Sequence, residues 1–349
     1  MPLFPETKPD LLDPDEDLQR AFDEAMATHG TGLGSVPLVI VALEESEPHG
    51  FAAQLEAEVH YSASLLKATG MWAAFELRRA ANEFVSSIVP TPDPDAVLAM
   101  LSSAFDDVIN ESRVAQLASV NLDGFLLPRW PQVFQVDPAD STVNFSPAFF
   151  GKLFDAIADG NNAAAGEVVH GLGFGYLTQA AASAEFFDED AAAEPKTADG
   201  MWLCGDFGHG FPPQRIPCVN DTPVAQATSA LQMARLFTFL AASTVADNTP
   251  LVGAVSDVAM RDLLFRAVER LHLFLNRDTA VGFVTTQSKI GLGPLNNGTT
   301  VASEAAIIQE NATGRRFVVV FQNKSFVNDA SLVPVSQVVD ATIASFLFP

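Results

Sequence analysis

Strand-like runs stand at both ends of this chain, and the long middle holds only helical patterns. Near the start, Val36 to Leu43 is a continuous apolar run that reads as a strand buried on both faces, and Phe51 to Val59 follows it after a turn. Near the end, Val281 to Ile290, Thr300 to Ile308 and Arg316 to Phe321 are three further runs separated by Gly- and Asn-containing turns, closed by a helix from Val335 to Phe348. The simplest packing joins all five into one antiparallel sheet, with the first and last helices on one face and a helical region inserted on the other. The predicted class is therefore α+β, an α/β sandwich. A sheet part from residues 35–60 and 275–349 encloses a helical part of about 61–274 within one domain, 35–349. Residues 1–34, rich in Asp, Glu and Pro, read as an acidic N-terminal extension carrying a short amphipathic helix (Leu18, Ala21, Phe22, Ala25, Met26) and ending in a flexible Gly-rich connection.

The N-terminal strands lead directly into residues 59–84, where Ser64 and Lys67 stand three apart at the start of an apolar helix containing Leu65, Leu66, Met71, Trp72, Phe75 and Leu77. Three apart on a helix places one side chain above the other. A serine in a first turn has a backbone N–H without an intrahelical partner, free to face a substrate oxygen. The lysine is set among apolar residues, and desolvation lowers an ammonium pKa, which suits it to take the serine proton. A Ser-x-x-Lys also occurs by accident in chains of this length. The chain has only six lysines, however, and a second one, Lys289, stands at the end of a strand-like run in Ser288-Lys289-Ile290-Gly291-Leu292-Gly293.

Composition excludes several classes. With 349 residues, 48% hydrophobic and 18% charged, the chain has material for an ordinary core. A formal charge of −24 opposes phosphate backbones and anionic lipid, so no nucleic-acid partner is expected. No apolar run reaches the roughly 18 residues that span a bilayer, and the first residues lack a signal-peptide pattern, so no membrane span is expected. The histidines are scattered without metal-ligand spacing, and no metal or cofactor is called for. Cys204 and Cys218 flank a Gly- and Pro-rich loop that includes Phe207 and His209; a disulfide closing that loop and two buried thiols fit equally well.

On these residues the chain resembles the serine β-lactamases and penicillin-binding DD-peptidases, most closely class A, over roughly residues 36–349. The family's motifs are Ser-x-x-Lys, Ser-Asp-Asn and Lys-Thr-Gly. The first matches at Ser64 and Lys67. The second aligns with Gly160-Asn161-Asn162, keeping the final asparagine, and the third with Lys289-Ile290-Gly291, where isoleucine replaces the hydroxyl residue.

The resemblance implies Ser64 as the acylated nucleophile, Lys67 as its base partner, Asn162 as a hydrogen-bonding group for substrate and lysine, and Lys289 as positive potential. Gly291 and the backbone of Leu292 would border the substrate and complete the oxyanion hole with the Ser64 N–H. Tyr61 stands near enough in sequence to approach the site, and Tyr176 does not. Class A enzymes use a loop glutamate for deacylation; here only Glu194 before Pro195 offers one, and a solvated loop acid is its plainer role. The expected function is a serine hydrolase or acyltransferase forming an acyl-enzyme on Ser64 with a small-molecule or peptide-like amide or ester. The alternatives are an esterase of this fold without β-lactam turnover, or a binding or regulatory module that has kept only the fold. The resemblance also favours an extracytoplasmic location. It leaves the oligomeric state open.

Overall fold

The computed structural model describes residues 3–4, 11–44, 47–111, 126–187, 200–205, 207, 215–221, 223–242, 254–271, 273–275 and 281–349. The chain begins with strand β1 (Leu12–Pro14), helix α1 (Glu16–His29), and strands β2 (Leu38–Ala42), β3 (His49–Gln54) and β4 (His60–Tyr61). A 3-10 turn, Ala63–Leu66, runs straight into α2 (Lys67–Ser86). The helical region continues with α3 (Pro94–Glu111), α4 (Trp130–Val133), the hairpin β5 (Phe134–Val136) and β6 (Val143–Phe145), then α5 (Pro147–Ala158), α6 (Asn162–Leu172) and α7 (Phe174–Ser183). Short strands β7 (Trp202–Leu203) and β8 (Gln226–Thr228) precede α8 (Ala230–Ala242) and α9 (Ala254–Arg270). The chain ends in β9 (Phe283–Pro294), β10 (Thr300–Glu310), β11 (Arg316–Ser325) and α10 (Val333–Leu347).

The main sheet has the order β1-β3-β2-β11-β10-β9. Its last five members are the five predicted strands, all antiparallel, with β2 from the first end of the chain laid against β11 from the second (Ile40 opposite Val319). The sheet has six strands rather than five, because β1 adds to the outer edge of β3 in parallel, Leu12 opposite His49 and Pro14 opposite Phe51. Three residues, one of them proline, carry no readable alternation, and proline is tolerated at such an edge because it has no ladder donor to give.

The sequence sets residues 1–34 apart as an acidic extension, yet β1 and α1 of that stretch are built into the sheet layer. The Asp15 carboxylate caps α1 by accepting from the N–H groups of Asp17 and Leu18 at 2.9 and 2.8 Å. The helix then buries Leu18, Ala21, Phe22 and Ala25. Of these, Leu18, Phe22 and Ala25 join Val335, Val338 and Val339 of α10 in the core on one face of the sheet, where Leu38, Ile40, Val319 and Phe321 point. The alternate residues Val39, Val41, Val318 and Val320 point into the larger core on the other face, around Trp72 and Phe75 of α2. A strand buried on both faces has no polar side, which is why β2 reads as an unbroken apolar run.

By length and composition alone, the helical segment 329–347 could cross a membrane, although no such run is expected from the sequence. Its buried face, including Val338 and Ile343, is here part of the α1–α10 core.

Candidate active site

Three segments far apart in the chain meet where the helical region faces strand β9. The first is the 3-10 turn. Ser62 O accepts from Leu65 N–H at 3.1 Å, which closes the turn and leaves Ser64 half-buried between the buried residues Ala63 and Leu65. Ala63 holds φ at +47°, a left-handed backbone that costs an L-residue energy and recurs at functional turns. Lys67 follows as the first residue of α2, with its side chain turned inward and only 3% exposed.

The second segment is the corner between α5 and α6. Gly160 turns the chain with φ of +68°, and the Asn161 side chain caps α6 by accepting from Ala164 N–H at 3.0 Å. That corner aims two oxygens at one ammonium: Lys67 Nζ donates to Gly160 O at 2.6 Å and to Asn162 Oδ1 at 2.7 Å. Among the described residues these are its hydrogen-bond partners. Both are neutral, so burial has no carboxylate to offset it, and the Lys67 pKa is pushed down to about 8. A fraction of the lysine is thus an uncharged amine near neutral pH.

The third segment is β9, the outer strand of the sheet. At Gly291 a Cβ would lie 2.8 Å from Ser62 O and 3.3 Å from the backbone nitrogens of Ser64 and Leu65, so only glycine lets this strand close against the turn. Leu292 next to it is 47% exposed, so the strand is open to solvent at this point. Lys289 is buried, with Nζ 3.3 Å from Ile290 O. Burial first, and then the nearby Lys67 charge, lower its pKa to about 7 against the opposing effect of Glu304. Glu304 is itself buried and accepts from Phe274 N–H, Leu275 N–H and Ser288 Oγ–H at 2.8, 2.8 and 2.7 Å.

Tyr61 lies against the same strand. Its hydroxyl would lie 3.0 Å from a Cβ on Gly293, and burial followed by the Asp221 charge raises its pKa. Its backbone is held on both sides, by Asn220 Oδ1 at 3.0 Å and Asn323 Nδ2 at 2.7 Å. Tyr176 lies in the core instead, donating to Ala73 O at 3.1 Å. Cys204 and Cys218 are both buried thiols rather than a bridge, and the Cys218 thiol turns to Asp221 O. Glu194 and His209 lie outside the described residues. No group of three or more metal-ligating side chains occurs among the described residues.

The structure thus brings Ser64, Lys67, Asn162, Lys289, Gly291, Leu292 and Tyr61 together where the helical region faces β9. Sequence inspection missed two neighbours. Glu304 had a signal, a lone acid in the apolar run from Val301 to Ile308. Phe207, whose ring centroid lies 5.3 Å from Lys67 Nζ, had none, because it sits in a stretch without periodicity.

No protein-family model and no curated protein matches this sequence. Solved structures do match. A class A β-lactamase representative from Bacteroides cellulosilyticus aligns with 95% of this chain and 100% of its own, at 10% identity and a TM-score of 0.54. A variant of the last common ancestor of Gram-negative bacteria class A β-lactamase aligns with 94% of this chain and 98% of its own, at 14% identity and a TM-score of 0.50. The sheet joined from both chain ends, the inserted helices and these alignments together show that the chain has the fold seen in class A β-lactamases.

Proposed function

We propose that this protein is a serine hydrolase or acyltransferase that forms an acyl-enzyme on Ser64. The observation that carries the proposal is the state of Lys67: buried, held by two neutral oxygens at 2.6 and 2.7 Å, with its pKa pushed down to about 8, one turn from an accessible serine. Nothing in the packing of an apolar helix calls for such a lysine, and burying an ammonium without a counter-charge is costly. An amine that is partly neutral near pH 8 is a competent general base for a serine hydroxyl.

In the proposed step, neutral Lys67 Nζ takes the Ser64 hydroxyl proton as Oγ bonds to the substrate carbonyl carbon. The carbonyl oxygen gains negative charge opposite the Ser64 N–H and the β9 backbone at Leu292, and two such donors supply a large part of the rate in acyl transfer. Collapse breaks the bond to the leaving group, which recovers a proton from Lys67, and an ester on Ser64 is left. Asn162 and Lys289 would orient the substrate and supply positive potential.

Gly160 and Ile290 stand where hydroxyls would help an amine to leave and hold a substrate carboxylate. Esters, whose alcohol leaves more readily and which need no carboxylate anchor, are therefore the preferred substrates, with little turnover of penicillins. Mass spectrometry of the intact protein after exposure to a fluorophosphonate tests the nucleophile. One adduct is expected on the unmodified protein, none on Ser64→Ala, and much slower formation on Lys67→Ala with the fold retained. Labelling that persists in Ser64→Ala would end the assignment.

A further inference from the structure

Lys67 has a third neighbour beside its two oxygen acceptors. The Phe207 ring centroid lies 5.3 Å from Nζ, within the range at which an aromatic face interacts with a cation. Phe207 comes shortly after β7 and is packed against both the main core and the small cluster of Ala156, Ala164 and Ala165 on α5 and α6. The ring is therefore wedged against the two helices whose corner presents Gly160 O and Asn162 Oδ1 to the same ammonium.

This packing bears on the second half of an acyl-transfer cycle. Hydrolysis of an acyl group on Ser64 requires a water that attacks the acyl carbon while passing a proton to a base within hydrogen-bond reach. The acyl-carbon bond to Ser64 Oγ then breaks, and Oγ recovers the proton. Among the described residues, Lys67 has a carbonyl, an amide oxygen and an aromatic face around it, and no carboxylate or imidazole hydrogen-bonds to it. An aromatic face neither holds a water nor takes its proton.

We propose that Phe207 is a positioning residue that covers Lys67 against water, so that the acyl group on Ser64 is long-lived and accumulates. The proposal rests on Ser64 being the nucleophile, and it adds that loss of the acyl group rather than its formation limits turnover. Removing the ring has two expected consequences. Water reaches the lysine and acyl-Ser64 hydrolyses faster, and the better-solvated ammonium holds its proton to higher pH.

The test uses the full chain with p-nitrophenyl acetate. The unmodified protein is expected to release one equivalent of p-nitrophenolate in a burst, followed by a slow phase, with one acetyl group on the intact protein throughout. Phe207→Ala is expected to keep the burst, hasten the slow phase by about tenfold or more, and move the pH midpoint of the burst rate upward. Phe207→Leu, which keeps an apolar cover, should retain the slow phase. Overturning results are a Phe207→Ala protein whose slow phase is unchanged, whatever its midpoint, or an unmodified protein that turns over without acetyl accumulation. The second decides the question even if Phe207→Ala loses its cooperative melt. A burst that survives in Ser64→Ala, or no adduct at all on the unmodified protein, removes Ser64 as nucleophile and this proposal with it. A Ser64-dependent burst with unmoved deacylation in Phe207→Ala removes only the role of Phe207.

Discussion

The Lys67 ammonium lies 2.7 Å from the Asn162 side-chain oxygen, a contact between residues 95 positions apart that ties the first turn of α2 to the first turn of α6. The bond favours the charged lysine, whereas burial favours the neutral one, and burial prevails because the pKa falls to about 8. The labelling rate of Ser64 should accordingly rise with pH through about 8 and then level off, since the neutral amine is the base.

Asn162→Ala removes one of the two acceptors. Hydrogen bonds to charged groups contribute roughly 1.5–3 kcal/mol, so the midpoint should move to lower pH, and loss of the oriented amide should slow labelling by about tenfold or more. Asn162→Asp should move the midpoint the other way, because an adjacent carboxylate favours the ammonium. Labelling rates measured against pH check both signs. Coincident profiles for the two variants would dissociate Asn162 from the lysine.

Lys289 should cost stability at neutral pH. Its folded pKa of about 7 lies well below the ordinary 10.5, so between these values the unfolded chain binds more protons, and stability rises with pH across that window. Below about pH 7 the cost is fully present, with a ceiling of roughly 5 kcal/mol from a shift of this size. Replacing the ammonium by an apolar chain of similar shape, Lys289→Met, should raise the midpoint of denaturant unfolding at pH 6.5 and give a smaller gain at pH 10. Glu304 loses the attraction of the ammonium in that variant but keeps its three donors, so its carboxylate stays hydrogen-bonded. A loss of stability at pH 6.5 would contradict the prediction.

Gly291→Ala should separate β9 from the nucleophile turn. The added Cβ meets backbone, with Ser62 O at 2.8 Å, and backbone cannot swing aside as a side chain can. Displacing β9 by a few tenths of an ångström or more misaligns the donors beside Ser64, and labelling should fall by about 100-fold. Gly298→Ala is the control. That glycine has φ of +83° and open space around it, so the cost should be backbone strain of about 1 kcal/mol with labelling intact.

At Gly160 the obstacle is conformation rather than room. The nearest atom to an added Cβ is Leu271 Cδ2 at 3.7 Å, but φ is +68°. Gly160→Ser should lower stability by roughly 1–2 kcal/mol, while Ile290→Thr on the half-buried strand edge should not carry that backbone penalty. Penicillin adduct formation, followed by intact mass, should be weak in the unmodified protein and in each single variant, and partly recovered when both hydroxyls are introduced. Penicillin labelling of the unmodified protein as fast as ester labelling would show that other residues supply those hydroxyl functions.

What the sequence determined by itself was carried by short-range periodicity. Five of the six sheet strands and the helix starting near Lys67 follow from alternation and apolar spacing, and three-residue spacing puts Lys67 one turn from Ser64. The corner at Gly160 was legible for a similar reason, since glycine with paired asparagines marks a turn whatever surrounds it. Such patterns record which face of an element is buried, but not against what. Tertiary structure alone decided that β1 adds to β3, that Cys204 and Cys218 stay thiols, that Glu304 collects three donors on the sheet face opposite Lys289, and that Phe207 lies over Lys67. The apolar residues around Lys67 already gave the direction of its pKa shift, but its extent, to about 8, was decided by tertiary structure, because it depends on how completely segments scattered along the chain remove water from the ammonium.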